Sequence, residues 1–312
     1  MNKFCSFIKK HELLSVTALC IILVVFVCAF YGIKMLIPQN KMEQSFEVEF
    51  AEKSKNCPID FKNESFKKVI SRTLKCYPDD FSKDLFAEVE TLIITDVSNL
   101  TDISDIQHFP NLKRLEITNC DIQDITPLAY LNKLEQLNLS SNNIKDLSPV
   151  SNLSSLVTID VSRNQIEDFS PVKNLANLEK GVFDDNKIEH IENLSQMKNL
   201  SGLSIANNLI SDIEFVTTGN LVSLNISSCK IDNISKLAEC ETLESLILYG
   251  YTQMDLSPLY NLPNFSSLWL DREFDRKQLE FMEDSFKFAD NYTKIYLVSK
   301  RHGLELVRFT NP

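Results

Sequence analysis

Histidine, cysteine and clustered carboxylates are the residues able to do chemistry, and here their spacing argues for structure. The four histidines, His11, His108, His190 and His302, stand in unrelated local contexts and form no ligand or acid–base spacing. Asp124, Asp146, Asp168, Asp212 and Asp255 do recur regularly. A column of carboxylates suggests calcium, but these aspartates lack the glycine-bearing loops of known calcium modules, so hydrogen bonding within turns is the expectation. His190 fills the same place in its own segment and reads as a turn residue. None of the 8 cysteines forms a C-x-x-C pair, which removes a zinc knuckle. Only 6 glycines are present, too few to expect phosphate-cradling loops. No catalytic set, metal site or cofactor is therefore expected. Lys+Arg 32 against Asp+Glu 43 gives a net charge of −11. Phosphate backbones are held by clustered cations, so nucleic acid is excluded as a partner.

What remains is recognition by side chains on a surface. Trp269 is the only tryptophan, and Ile247, Tyr249 and Tyr251 precede it by about one 22-residue period. Exposed Trp and Tyr anchor interfaces, where truncation costs about 2 kcal/mol or more; a closing cap folded over them is the alternative reading. A second, charged set is Arg114, Glu116, Asp160 and Asp184. Both sets depend on a scaffold that repeats.

That scaffold is a ladder. Leu112, Leu134, Leu156, Leu178 and Leu200 recur every 22 residues, followed after one shortened step by Leu221, Leu243 and Phe265. The frame is L-x-x-L-x-L-x-x-N-x-I-x-D-I-x-P-L, clearest in Leu134, Leu137, Leu139, Asn142, Ile144, Asp146, Leu147, Pro149 and Val150. The L-x-L pair alternates with period 2 and predicts a short strand with its apolar side inward. Asn142, Asn164, Asn186 and Asn208 should turn inward and satisfy backbone groups stranded by the bend; Cys120, Cys229 and Tyr251 stand in that place elsewhere. Thr126-Pro127, Ser148-Pro149, Ser170-Pro171 and Ser257-Pro258 should start short turns on the opposite side, since proline is pre-set for a first helical turn. Ten N-x-S/T triplets occur; those such as Asn152 and Asn193 belong to the Asn-Leu-Ser phrase of the repeat, and the set reads as a by-product of the repeat.

These residues resemble the bacterial, internalin-like leucine-rich repeat of 22 residues (the SDS22-like class). The resemblance runs from residue 57 to about 270. It implies an α/β repeat solenoid: a curved parallel β-sheet, a convex side of 3-10 and other turns, a helical N-terminal cap and a small α/β C-terminal cap. Cys57–Ile70 is similar to that family's cap, with Asn63 as N-cap and Phe66, Val69, Ile70 and Leu74 as one apolar stripe; a second short helix is expected from Ser82 to Val89. Cys57 and Cys76 bracket the first cap helix and could form a disulfide in an oxidising space. Past the repeats, Arg276–Asp284 reads as a helix, and Thr293–Ser299 and Leu304–Phe309 as strands.

Residues 13–33 carry no charge over 21 positions, roughly 30 Å of helix, enough to cross a bilayer core. Lys3, Lys9 and Lys10 precede them, so the positive-inside rule directs the remainder outward; a cleaved signal peptide ending at Ala29 is the rival. The expected organisation is a cytoplasmic tail (1–12), a transmembrane signal-anchor (13–37), a linker (38–56), a helical cap (57–88), repeats (89–270) and a C-terminal cap (271–312). Such a chain would be a single-pass cell-membrane protein, or a secreted one, presenting a monomeric repeat domain. It would bind a protein or glycan partner through its concave sheet. A structural or regulatory subunit of a membrane complex, or a cytosol-facing phosphatase-regulator-like repeat, are the alternatives.

Overall fold

The computed structural model describes residues 39–192, 194–216, 220–271, 274, 294–299 and 303–307. The chain divides into two compact units, the second beginning at Cys57. In the first, Gln39–Lys53 is a helix (α1) followed by a 3-10 turn at Ser54–Asn56. Residues 38–56 were expected as a linker, and the difference has a simple cause. The segment has no apolar stripe to read, and its side-chain support is local, with Phe46 and Phe50 stacked one helical turn apart at 5.8 Å. The expected membrane segment, 13–37, and the expected helix at 276–284 lie outside the described residues. Among the described residues no helix is long and apolar enough to cross a membrane.

The second unit opens with two cap helices, α2 (Glu64–Leu74) and α3 (Lys83–Ala87). Asn63 caps α2 by accepting from Phe66 N at 2.8 Å, and Ser82 caps α3 by accepting from Leu85 N at 3.0 Å. Phe61, Phe66, Phe81, Phe86 and Phe109 form one aromatic plug between the cap and the first repeats. Asp105, fully buried, ties the cap down by accepting from the backbone of Lys62 (3.0 Å) and Asn63 (2.8 Å).

Eleven strands then form one sheet in strict chain order: β1 Thr91–Thr95, β2 Arg114–Thr118, β3 Gln136–Asn138, β4 Thr158–Asp160, β5 Lys180–Val182, β6 Gly202–Ser204, β7 Ser223–Asn225, β8 Ser245–Leu248, β9 Ser267–Asp271, β10 Lys294–Ser299 and β11 Gly303–Val307. Strands β1 to β10 are parallel, and β11 reverses against β10. The two C-terminal strands thus prolong the repeat sheet. Leucines and isoleucines of the frame fill a single continuous core from the cap to Phe274.

Two sets of side-chain bonds shape the repeats, and the first joins each repeat to its neighbour. Each ladder asparagine works on both sides of its turn. Asn164 Nδ2 donates to Val161 O and, one repeat back, to Leu139 O, both at 3.0 Å, while its Oδ1 accepts from Ile144 N at 3.0 Å. Asn142, Asn186 and Asn208 repeat the pattern. Just before each of them, and before Cys120 and Cys229 in the same place, the chain takes a positive φ, from 52 to 58° at Asn119, Ser141, Arg163, Asp185, Asn207 and Ser228. On the far side, the aspartate column accepts from the backbone two residues on, as at Asp124, Asp146, Asp168 and Asp255. Each convex 3-10 turn among the described residues starts behind such a cap, Asp102 and Asn233 included.

One repeat departs from the frame in a compensated way. Gly181 occupies the strand position held by Leu137 and Leu203, and the Phe183 ring fills the space: a β-carbon on Gly181 would meet Phe183 Cε2 at 2.6 Å. Gly181→Ala should therefore cost about 1–3 kcal/mol by overpacking. Adding Phe183→Val should recover most of that loss in urea denaturation, whereas additive costs in the double variant would refute the coupling.

Candidate functional site

The pairing register defines the outward columns of the sheet. The middle column reads Ile93, Glu116, Asn138, Asp160, Val182, Ser204, Asn225, Ile247, Trp269 and Tyr296, each beside the next. From Ile93 to Trp269, strand alternation sends these side chains away from the core that their Leu and Ile neighbours enter. Three chemically distinct zones follow along the face.

The N-terminal zone is charged. Arg114, Glu116, Asn138, Thr158, Asp160 and Lys180 border a shallow depression of about 280 Å³. Arg114 is already engaged, its Nε donating to Glu116 Oε1 at 2.9 Å. Lys180 leans toward β6, since a β-carbon on Gly202 would lie 3.4 Å from Lys180 Cγ. No ion pair reaches Asp160 or Asp184 from the described residues. Each uses a single oxygen internally: Asp160 Oδ1 accepts from Ser162 N at 2.9 Å, and Asp184 Oδ1 accepts from Ser204 Oγ at 2.6 Å and Ala206 N at 2.8 Å.

Asp184 also starts the central zone, a chain of hydrogen bonds across four repeats. Ser204 Oγ donates to Asp184 and accepts from Asn225 Nδ2 at 2.9 Å. Ser227 Oγ donates to Asn225 Oδ1 at 2.6 Å and accepts from Tyr249 N at 2.9 Å. Every donor in the chain points toward the carboxylate. Burial pushes the Asp184 carboxyl above the usual carboxylate range; the Ser204 and Ala206 bonds pull it down, and the nearby Asp185 and Asp160 push it up.

The C-terminal zone is aromatic. Ile247 and Trp269 are direct register partners and half-buried, and the half-buried Tyr249 follows Ile247 in the next outward column. Tyr296 of β10 continues the register, so Trp269 is not at the edge of the sheet. Tyr251 leaves this group. Its hydroxyl donates to Ile226 O at 3.0 Å, one repeat back, as the ladder asparagines do, and burial pushes its pKa up. Cys229 fills the same role through Sγ, 3.3 Å from Ile205 O. Tyr251 was grouped with the binding aromatics because residue type does not tell a long side chain that spans the ladder from one that faces outward.

Cys57 and Cys76 are both free thiols in this structure. Cys57 Sγ donates to Ile59 O at 3.1 Å, and burial raises the Cys76 thiol to about 11. Among the described residues no group of three or more His, Cys, Asp or Glu is placed to hold a metal ion.

With this geometry in hand, the likenesses to known proteins are specific. The family model for Leucine Rich repeats (2 copies) matches residues 132–174. No curated protein matches the chain. An internalin C2 structure from Listeria monocytogenes is 31% identical, with a TM-score of 0.63 over 67% of this chain and 94% of that one. The chain belongs to the internalin family. A second internalin of that organism, inlF, shares the fold at 22% identity, with a TM-score of 0.65 over 76% of this chain and 69% of that one.

Within this internalin-like face, Asp184 is the carboxylate held at a cost. An acid whose pKa is higher folded than unfolded binds more protons when native, so its contribution to stability falls as pH rises from the unfolded pKa through the folded one. Asp184→Asn keeps the acceptor oxygen and removes the charge. It should raise Tm at pH 7, with the gain vanishing below the carboxylate range; a Tm at pH 7 equal to or below wild type would contradict the assignment.

Proposed function

We propose that this chain is a non-enzymatic recognition protein that holds a protein partner on the concave face of its repeat sheet, outside a membrane to which residues 13–37 tether it. The observation that carries the reading is the face itself. Its columns pass from charged to small and polar to aromatic, and half-buried Asp184 keeps one carboxylate oxygen uncommitted. Surfaces of this kind combine orientation by charge with apolar anchoring. Membership of the internalin family supports binding over catalysis, and the thiols support it too: those of Cys76 and Cys240 are raised to about 11, which keeps them protonated and inert. A glycan would use the same face; the charged zone and the length of the sheet favour a protein. Ten parallel strands at ~4.8 Å spacing offer roughly 45 Å, the scale of a small domain.

Crosslinking of the full-length chain in intact cells, followed by identification of the captured protein, supplies the partner. Ser204→Arg places a long cation in the small central zone and should reduce capture at least tenfold. Tyr130→Ala, at a fully exposed convex site (77% exposed), should leave it unchanged. Undiminished capture by Ser204→Arg would remove the concave face from the reading. Protease added outside the cells should digest residues 57–312, and protection of that fragment would overturn the external placement.

A further inference from the structure

We infer that the partner enters this face as an extended segment carrying a basic side chain and an apolar side chain four residues apart, the base against Asp184 and the apolar group against Tyr249. The inference rests on the concave-face reading above and adds the chemistry of the occupant. Charge complementarity sets the first half. Asp160 and Asp184 have no cationic partner among the described residues, each has an Oδ2 that accepts no hydrogen bond from them, and the chain as a whole carries −11. Of the cations on this face, Arg114 is spent on Glu116, and Lys180, on the strand that leads to Asp184, lies against Gly202 of β6.

The sheet sets the second half. Asp184, Ala206, Ser227 and Tyr249 occupy one outward column, kept in step by Asp185 N, Asn207 N and Ser228 N donating to Ala206 O (2.9 Å), Ser227 O (2.7 Å) and Tyr249 O (2.7 Å). Three strand steps at ~4.8 Å separate Asp184 from Tyr249, about 14 Å. A chain lying across the strands covers that distance in four residues at ~3.4 Å each. Four is an even number, so both side chains project from the same side of an extended segment. Between the two anchors, Ala206 and the buried Ser227 stand low enough for a backbone to pass. None of the six outward residues of β6, β7 and β8 is charged, nor is Ala206, Ser227 or Tyr249 beyond them, so that stretch neither attracts nor repels a second ionic group. The hydrogen-bond chain from Tyr249 N to Asp184 joins the anchors through the floor and fixes Asp184 in place.

A random peptide library displayed on phage and selected on the immobilised full-length chain tests this directly. Wild type should enrich Lys or Arg with an apolar residue four positions away, in either direction, on the order of tenfold over other spacings. Asp184→Asn, which keeps every acceptor in the floor, should abolish the basic preference and spare the apolar one. Tyr249→Ala should do the reverse. Enrichment of acidic or uncharged peptides, an unchanged basic preference on Asp184→Asn, or no enrichment at all would each overturn the inference. Ser204→Arg separates the two levels: peptides of another chemistry that this variant still blocks would sink the spacing rule and leave the concave-face reading standing. A second copy of the chain as occupant would show as a concentration-dependent dimer abolished by Ser204→Arg, and would also overturn the inference.

Discussion

An inward-facing amide after each of strands β3 to β6 is the interaction on which the repeat fold depends. The turn that follows every strand is tight, and it leaves carbonyls of one repeat and an N–H of the repeat before it without sheet partners. One asparagine serves both, so no repeat closes its own hydrogen bonding without its neighbour. The positive-φ residues beside the asparagines lock the same geometry from the backbone. Everything on the face inherits its spacing from this ladder, including the separation of the charged and aromatic zones. Where the asparagine is replaced, its duty persists: the Cys229 thiol and the Tyr251 hydroxyl each reach back one repeat to a carbonyl.

The scaffold was legible because its signals are periodic and local. The register of the middle column, from Ile93 to Trp269, follows from counting 22 residues, with one lengthened step at Ile93–Glu116 and one shortened step at Ser204–Asn225. The caps of α2 and α3 follow from Asn63 and Ser82 ahead of apolar stripes. What lacked periodicity escaped. Helix α1 has no apolar face to announce it. The exchange of Leu for Gly at 181 becomes intelligible only when the Phe183 ring is seen in the vacated volume. Tyr251 stood in the ladder's place in the sequence, yet its reach could be judged only from the coordinates.

The site divides along the same line. Residue types predicted the zones, since Arg114, Glu116 and Asp160 do border one depression and Ile247 and Trp269 do sit side by side. The path of the hydrogen bonds was not readable. Serines and an asparagine in neighbouring columns are commonplace, and nothing in their order says that Ser204, Asn225 and Ser227 direct all their donors toward one carboxylate.

The sheet grows by whole strands, parallel until β11 turns against β10. Contacts placed along such a sheet can be moved apart or together only in increments of one repeat. Duplication or loss of a single 22-residue unit between Asp184 and Tyr249 would shift their separation by ~4.8 Å without altering either residue. A lineage carrying this gene could thus retune what it grips through unequal recombination, a coarse dial, while point substitution adjusts the grip at each setting.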